Sequence, residues 1–115
     1  MGLARELRSR RKVETKMVEV DAWGDENGAF RLYCRPLTCY DISMLQKKHK
    51  DFMTNTTITA MVDLIVMKAL DEDGNKLFTS ADDRADLMGE QTDVIADIAN
   101  EMFNDIVPEE KALKN

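Results

Sequence analysis

Two runs of strict alternation, joined through Asn27-Gly28 and followed only by helical spacing, leave this chain few ways to fold. Val18, Val20 and Ala22 alternate with Glu19 and Asp21, and Phe30, Leu32 and Cys34 alternate with Arg31, Tyr33 and Arg35. A period of two is the pattern of a strand with one face buried. Asn-Gly tolerates the positive φ that a tight turn requires, so the two runs predict a β-hairpin, with Glu19 and Asp21 facing Arg31 and Arg35 across its polar side. Met17 and Trp23 then fall on the face opposite Val18 and Val20. A hairpin alone cannot bury a core, so the remainder must cover it.

Pro36 stops the ladder, and the period changes. Thr38 with Asp41 three residues later reads as a helix cap, after which Ile42, Leu45, His49 and Phe52 share one stripe. The Thr54 to Thr57 cluster is a loop and cap. The stretch from Ile58 to Leu70 is apolar nearly all round, which predicts the central buried helix. Residues 71 to 75 break it, Thr79 or Ser80 caps the next helix and Gly89 ends that one. A last helix runs from about Thr92 to Asn104, with Val94, Ile95, Ile98, Ala99, Met102 and Phe103 on a wide apolar stripe, and Pro108 marks its outer limit. These elements predict an α+β fold, an N-terminal β-hairpin followed by about four α-helices in one small domain over 16–106. A basic arm of 1–15 precedes it and a flexible tail of 107–115 follows.

Length and charge narrow the function. A chain of 115 residues with 43% apolar content can bury one modest core. The longest apolar run, Ile58 to Leu70, is too short to span a bilayer and is interrupted by Asp63 and Lys68, and the charged N-terminus has no apolar leader. No membrane contact or secretion is expected, and the chain reads as cytosolic. Residues 1–16 carry a formal charge of +4, residues 17–70 carry −1 and residues 71–115 carry −9. Phosphate neutralisation needs clustered Lys and Arg, which only the short arm supplies, so no nucleic acid is expected as partner. An acidic C-terminal part fits a partner with a basic surface.

Candidate chemistry is sparse. The chain has no Gly-rich phosphate loop, no HExxH and a single histidine, His49, which reads as a partly buried stripe residue; no enzymatic activity is expected. Cys34 and Cys39 lack a CxxC partner, so two reduced thiols, Cys34 in the core, are expected rather than structural zinc. The segment from Asp71 to Asp82 offers oxygen side chains at the first, third and fifth positions of an EF-hand loop. It then places Lys76 where Gly permits the turn and Asp82 where a bidentate Glu is needed, so it reads as a polar Asp-Gly turn with Leu77 and Phe78 docking on the core. Neither metal nor other cofactor is expected.

Surfaces for other proteins are better represented. Met44, Met53, Met61, Met67, Met88 and Met102 suit both an adaptable core and an adaptable binding face. On the last helix Asp93, Asp97, Glu101 and Asp105 recur every four residues with no Lys or Arg between them. Their mutual repulsion is tolerated either for solubility or for docking a basic partner. Met17 and Trp23, on the outward face of the hairpin, are the apolar candidates for the same contact, and the basic arm is the competing cover for them. The six candidate partner-binding residues are Met17, Trp23, Asp93, Asp97, Glu101 and Asp105.

The order of these features resembles the small tail assembly chaperones of long-tailed bacteriophages. The likeness runs through Leu3-Ala-Arg-Glu-Leu7, Val13-Glu-Thr-Lys-Met-Val-Glu-Val-Asp-Ala-Trp23 and Phe30-Arg-Leu-Tyr-Cys-Arg-Pro-Leu-Thr38. It continues in Met61-Val-Asp-Leu-Ile-Val-Met-Lys-Ala-Leu-Asp-Glu-Asp-Gly74, in Leu77-Phe-Thr79 and in the helix from Val94 to Phe103, covering most of the chain. The ending from Glu109 to Asn115 resembles that of the short product in families where a frameshift makes a longer form. The resemblance implies a protein of the host cytoplasm that binds the tape measure protein, keeps its long apolar helices soluble, recruits tail tube protein and is absent from the mature virion. It leaves room for a homo-oligomer. A structural tail-completion or head-to-tail connector protein of the virion is the alternative of similar size and composition.

Overall fold

In the computed structural model, which describes residues 2–11 and 14–103, the two alternating runs form the hairpin that their spacing predicts. A short helix α1 (Leu3–Ser9) precedes it; β1 (Lys16–Asp25) then pairs antiparallel with β2 (Gly28–Cys34), and α2 (Cys39–Lys48), α3 (Ile58–Lys68), α4 (Ala81–Met88) and α5 (Thr92–Phe103) follow. The chain is thus a small α+β domain. Val18 lies opposite Leu32, and these two with Val20 and Cys34 are the buried side chains of the strands. Across the polar face Glu19 meets Arg31 at 3.3 Å, while Cys34 is buried and Cys39 exposed. Helix α1 buries no side chain.

Register fails beyond Val20, and with it one expectation. Val20 opposes Phe30 but Asp25 opposes Gly28, so β1 carries four residues, 21 to 24, against Ala29 alone. Three surplus residues are an odd number and invert the alternation. Trp23 is therefore turned to the core side, edge-on to Phe30 at a ring distance of 6.1 Å and to Phe78 at 6.2 Å, instead of lying opposite Val18 and Val20. Gly24 makes the bulge: a Cβ there would run into the Gly28 carbonyl and come within 2.9 Å of Ala29 Cα.

Side-chain caps start the helices where the sequence places them. Thr38 and Asp41 form a reciprocal capping box on α2, as Ser80 and Asp83 do on α4, and the Thr57 hydroxyl accepts from Ala60 N–H on α3. Helix α2 ends at Lys48, one turn sooner than the stripe through Phe52 predicts. Residues 49 to 55 continue in turns closed by Phe52 N–H to His49 O and Thr54 N–H to Asp51 O. Phe52 is still fully buried and stacks on Phe103 with ring centroids 5.2 Å apart.

Helix α3 is the centre, packing against α2, α4 and α5, and α5 also lies against β1. Its Ala60, Val62, Leu64 and Ile65 are buried together with Ile95, Ile98, Ala99 and Met102 of α5. One acidic side chain interrupts this apolar helix. Asp63 accepts from Arg84 Nε of α4 at 2.6 Å and meets His49 Nε2 at 2.7 Å and Lys48 Nζ at 3.3 Å, so a single carboxylate ties together α3, α4 and the end of α2. Burial pushes its pKa up, but the hydrogen bonds from Arg84, His49 and Lys48 and the Arg84 charge prevail and hold it at about 2. Lys68 joins α3 to the capping Asp41 at 2.8 Å.

Candidate protein-binding site

The outer edge of β2 is partly covered by the segment that leaves α3. Tyr33 and Leu70 exchange both backbone hydrogen bonds, at 2.8 and 2.7 Å. Alternation in an antiparallel pair then aims the backbone groups of Met17 and Glu19, which oppose Tyr33 and Arg31, away from β2 and toward the outer edge of β1. Among the described residues no further strand pairs with that edge. It borders a groove of about 710 Å³, walled on one side by residues 17–22 and on the other by Asp93, Val94, Asp97, Ile98, Asn100 and Glu101 of α5.

Four of the candidate residues meet in this groove: Met17, Asp93, Asp97 and Glu101. Met17 is 44% exposed, an apolar side chain at the rim. Helix α5 buries Ile95, Ile98, Ala99 and Met102 on its inner stripe, which leaves the acidic stripe on its flank facing the strand edge. Glu19 and Asp21 of β1 add two further carboxylates. The acidic stripe is not wholly without cations, as its spacing alone implies. Lys16 Nζ lies 2.6 Å from the Glu101 carbonyl and 3.3 Å from its carboxylate, a cation at the C-terminal turn of α5 that also favours the helix dipole. Asp97 has no hydrogen bond or ion pair among the described residues, and Asp105 lies outside them. Such a trough can accept backbone hydrogen bonds along β1 and cationic side chains along α5.

Trp23 belongs elsewhere. Its indole N–H donates to Glu90 Oε2 at 2.6 Å, and Phe30, Phe78, Asp83, Asp86 and Leu87 complete a second, more apolar cleft of about 390 Å³. The bond from Trp23, with a further one from the Gln91 N–H, holds the Glu90 carboxyl below its usual range. Sequence reasoning missed Lys16, Glu90 and the Asp63 cluster. The lone Asp63 in an apolar helix was the available signal, because a carboxylate in such a place requires cationic or hydrogen-bonding partners. In the Asp71 loop the carboxylate accepts from the N–H groups of Asp73 and Asn75, both at 2.9 Å, and Gly74 takes the positive φ of +88°. No described helix is long and apolar enough to cross a membrane. No family model matches the chain, and no curated protein or solved structure matches it either.

Proposed function

We propose that this chain is a tail assembly chaperone of a long-tailed bacteriophage, a non-catalytic protein of the host cytoplasm. It binds the tape measure protein, keeps it soluble and recruits tail tube subunits. The observation that carries this reading is the groove beside β1, where a strand edge with no partner strand among the described residues, an exposed methionine and the acidic flank of α5 converge on one surface. Edge backbone and apolar side chains supply affinity for an aggregation-prone chain, and the carboxylates select one with basic residues. The order of hairpin, apolar helix and acidic closing helix, which resembles that of the class, supports the same reading. A chaperone leaves its client at assembly, so the protein is expected to be absent from the mature virion.

Co-expression with the tape measure protein tests this directly. The tape measure is expected in the soluble fraction only when this chain is present, and the two are expected to copurify. Equal solubility with and without the chain would end the proposal. Mass spectrometry of purified particles separates it from a structural tail-completion or connector protein, which would be recovered in the virion.

A further inference from the structure

The second cleft has a different chemistry from the groove. Its floor is a corner of aromatic rings: Trp23 meets Phe30 at an interplanar angle of 64° and Phe78 at 77°, both in edge-to-face contact. Phe30 remains 37% exposed although it sits on the buried face of the hairpin, so one wall of this corner is open to solvent. Asp83, Asp86 and Glu90 stand around the rings, and among the described residues no Lys or Arg lines the cleft. The three carboxylates are not equivalent. Asp83 caps α4, accepting from the N–H groups of Thr79 and Ser80, and Glu90 holds the indole. The carboxylate of Asp86 has no hydrogen bond or ion pair among the described residues.

We propose that this corner is a receptor for a single arginine side chain presented by a partner protein. The guanidinium would lie against the Trp23 and Phe30 faces and donate to Asp86. An anionic ligand is repelled by three carboxylates, and a neutral apolar one gains nothing from them. A cation that is both planar and weakly hydrated satisfies the rings and the carboxylate together, which favours guanidinium over ammonium. The Glu90 hydrogen bond reinforces the effect, because donating the indole proton toward an anion pushes electron density into the ring. The pocket shares no residue with the groove beside β1, so this assignment stands whether or not the chaperone reading holds.

Trp23 is the sole tryptophan of the chain, and its fluorescence reports the cleft directly. The titrant is N-acetyl-arginine methylamide at constant ionic strength, with N-acetyl-citrulline methylamide as its neutral isostere. A saturable change in emission is expected with arginine in the millimolar range and none with citrulline. Phe30→Leu keeps the apolar wall but removes its π face, and is expected to weaken binding by about two- to fivefold. Asp86→Asn, on the exposed side of α4, is expected to weaken it by a similar factor without altering the circular dichroism spectrum. Equal responses to arginine and citrulline, no saturation, or undiminished binding in both variants would overturn the assignment. A resting emission that varies with protein concentration until Arg5, Arg8, Arg10 and Arg11 are replaced by Gln would overturn the assignment to a different partner protein, since the occupant would then be the arm of a second copy.

Discussion

Asp63 sets the acid limit of the fold, because two cationic groups, Lys48 and Arg84, and the His49 ring meet on its carboxylate. Its pKa is about 2 in the folded chain against an ordinary 3.8. A depressed carboxylate stabilises above its unfolded pKa, so the contribution is complete above pH 4 or so and is lost as the pH falls through about 2. The difference corresponds to about 2 kcal/mol. Asp63→Asn is therefore expected to lower the unfolding free energy at pH 7 by about 2 to 3 kcal/mol, since Arg84 and the half-buried His49 lose their acceptor. Urea unfolding at several pH values is the measurement, with the variant and the parent converging near pH 2; a parallel acid limb in both would refute it. At the same scale Gly24→Ala should lower the melting temperature by roughly 5 to 10 °C, because the bulge must open to admit the methyl. Gly24 also explains the misplaced face of Trp23. Alternation is readable from sequence only while the register holds, and a glycine inside a strand pattern is the one local sign that it does not.

Capping and turn chemistry decide the elements, and this is the level at which the sequence was most legible. Thr38 begins its helix as the hydroxyl and carboxylate spacing predicts, Ser80 is the one of the two candidates Thr79 and Ser80 that caps α4, and Thr57 is the capping member of the Thr54 to Thr57 cluster; such caps act over a few residues and need no tertiary context. Thr38→Ala and Ser80→Ala should each cost about 1 kcal/mol in urea unfolding, and the double variant about the sum. The end of α2 was less legible: Phe52 keeps the helical spacing of Ile42 and Leu45 but reaches the core through turns. Periodicity reports that a side chain is buried, not how its backbone arrives. The Asp71 loop carries its own prediction. Asp71 already accepts two loop N–H groups, Lys76 would stand close to a bound ion and Asp82 leaves the shell incomplete. Millimolar calcium is expected to leave the melting temperature unchanged, whereas a rise of several degrees abolished by Asp71→Ala would mean that the loop rearranges to take the ion.

At the scale of the whole molecule, α5 returns to β1 and brings the acidic stripe beside Glu19 and Asp21. Sequence spacing identified the acidic stripe but could not show that Met17 lies on the opposite wall of the same groove, because the packing of α5 on β1 joins residues some eighty positions apart. That packing also decides which charges can be reversed to test the groove. Glu101 already holds Lys16, so reversing it would break a contact that fastens β1 to α5 and confuse stability with binding. Asp93→Lys with Asp97→Lys is the cleaner variant: both sites are exposed and neither forms an ion pair among the described residues; Asp97→Lys should change global stability by less than about 0.5 kcal/mol, and Asp93→Lys, in the first turn of α5 where a carboxylate favours the helix dipole, should cost about 1 kcal/mol. If the partner is basic, capture should slow at low salt, where attraction acts on encounter, while the dissociation rate set by buried apolar area stays close to that of the parent. At 1 M salt the Debye length falls to about 3 Å and the two proteins should capture the proposed tape measure partner at nearly equal rates. Stopped-flow association at low and high salt reads both limits. Equal rates at low salt would make the stripe a solvated face with no part in recognition, and a deficit that persists at 1 M would mean that the two aspartates make direct contacts rather than steer.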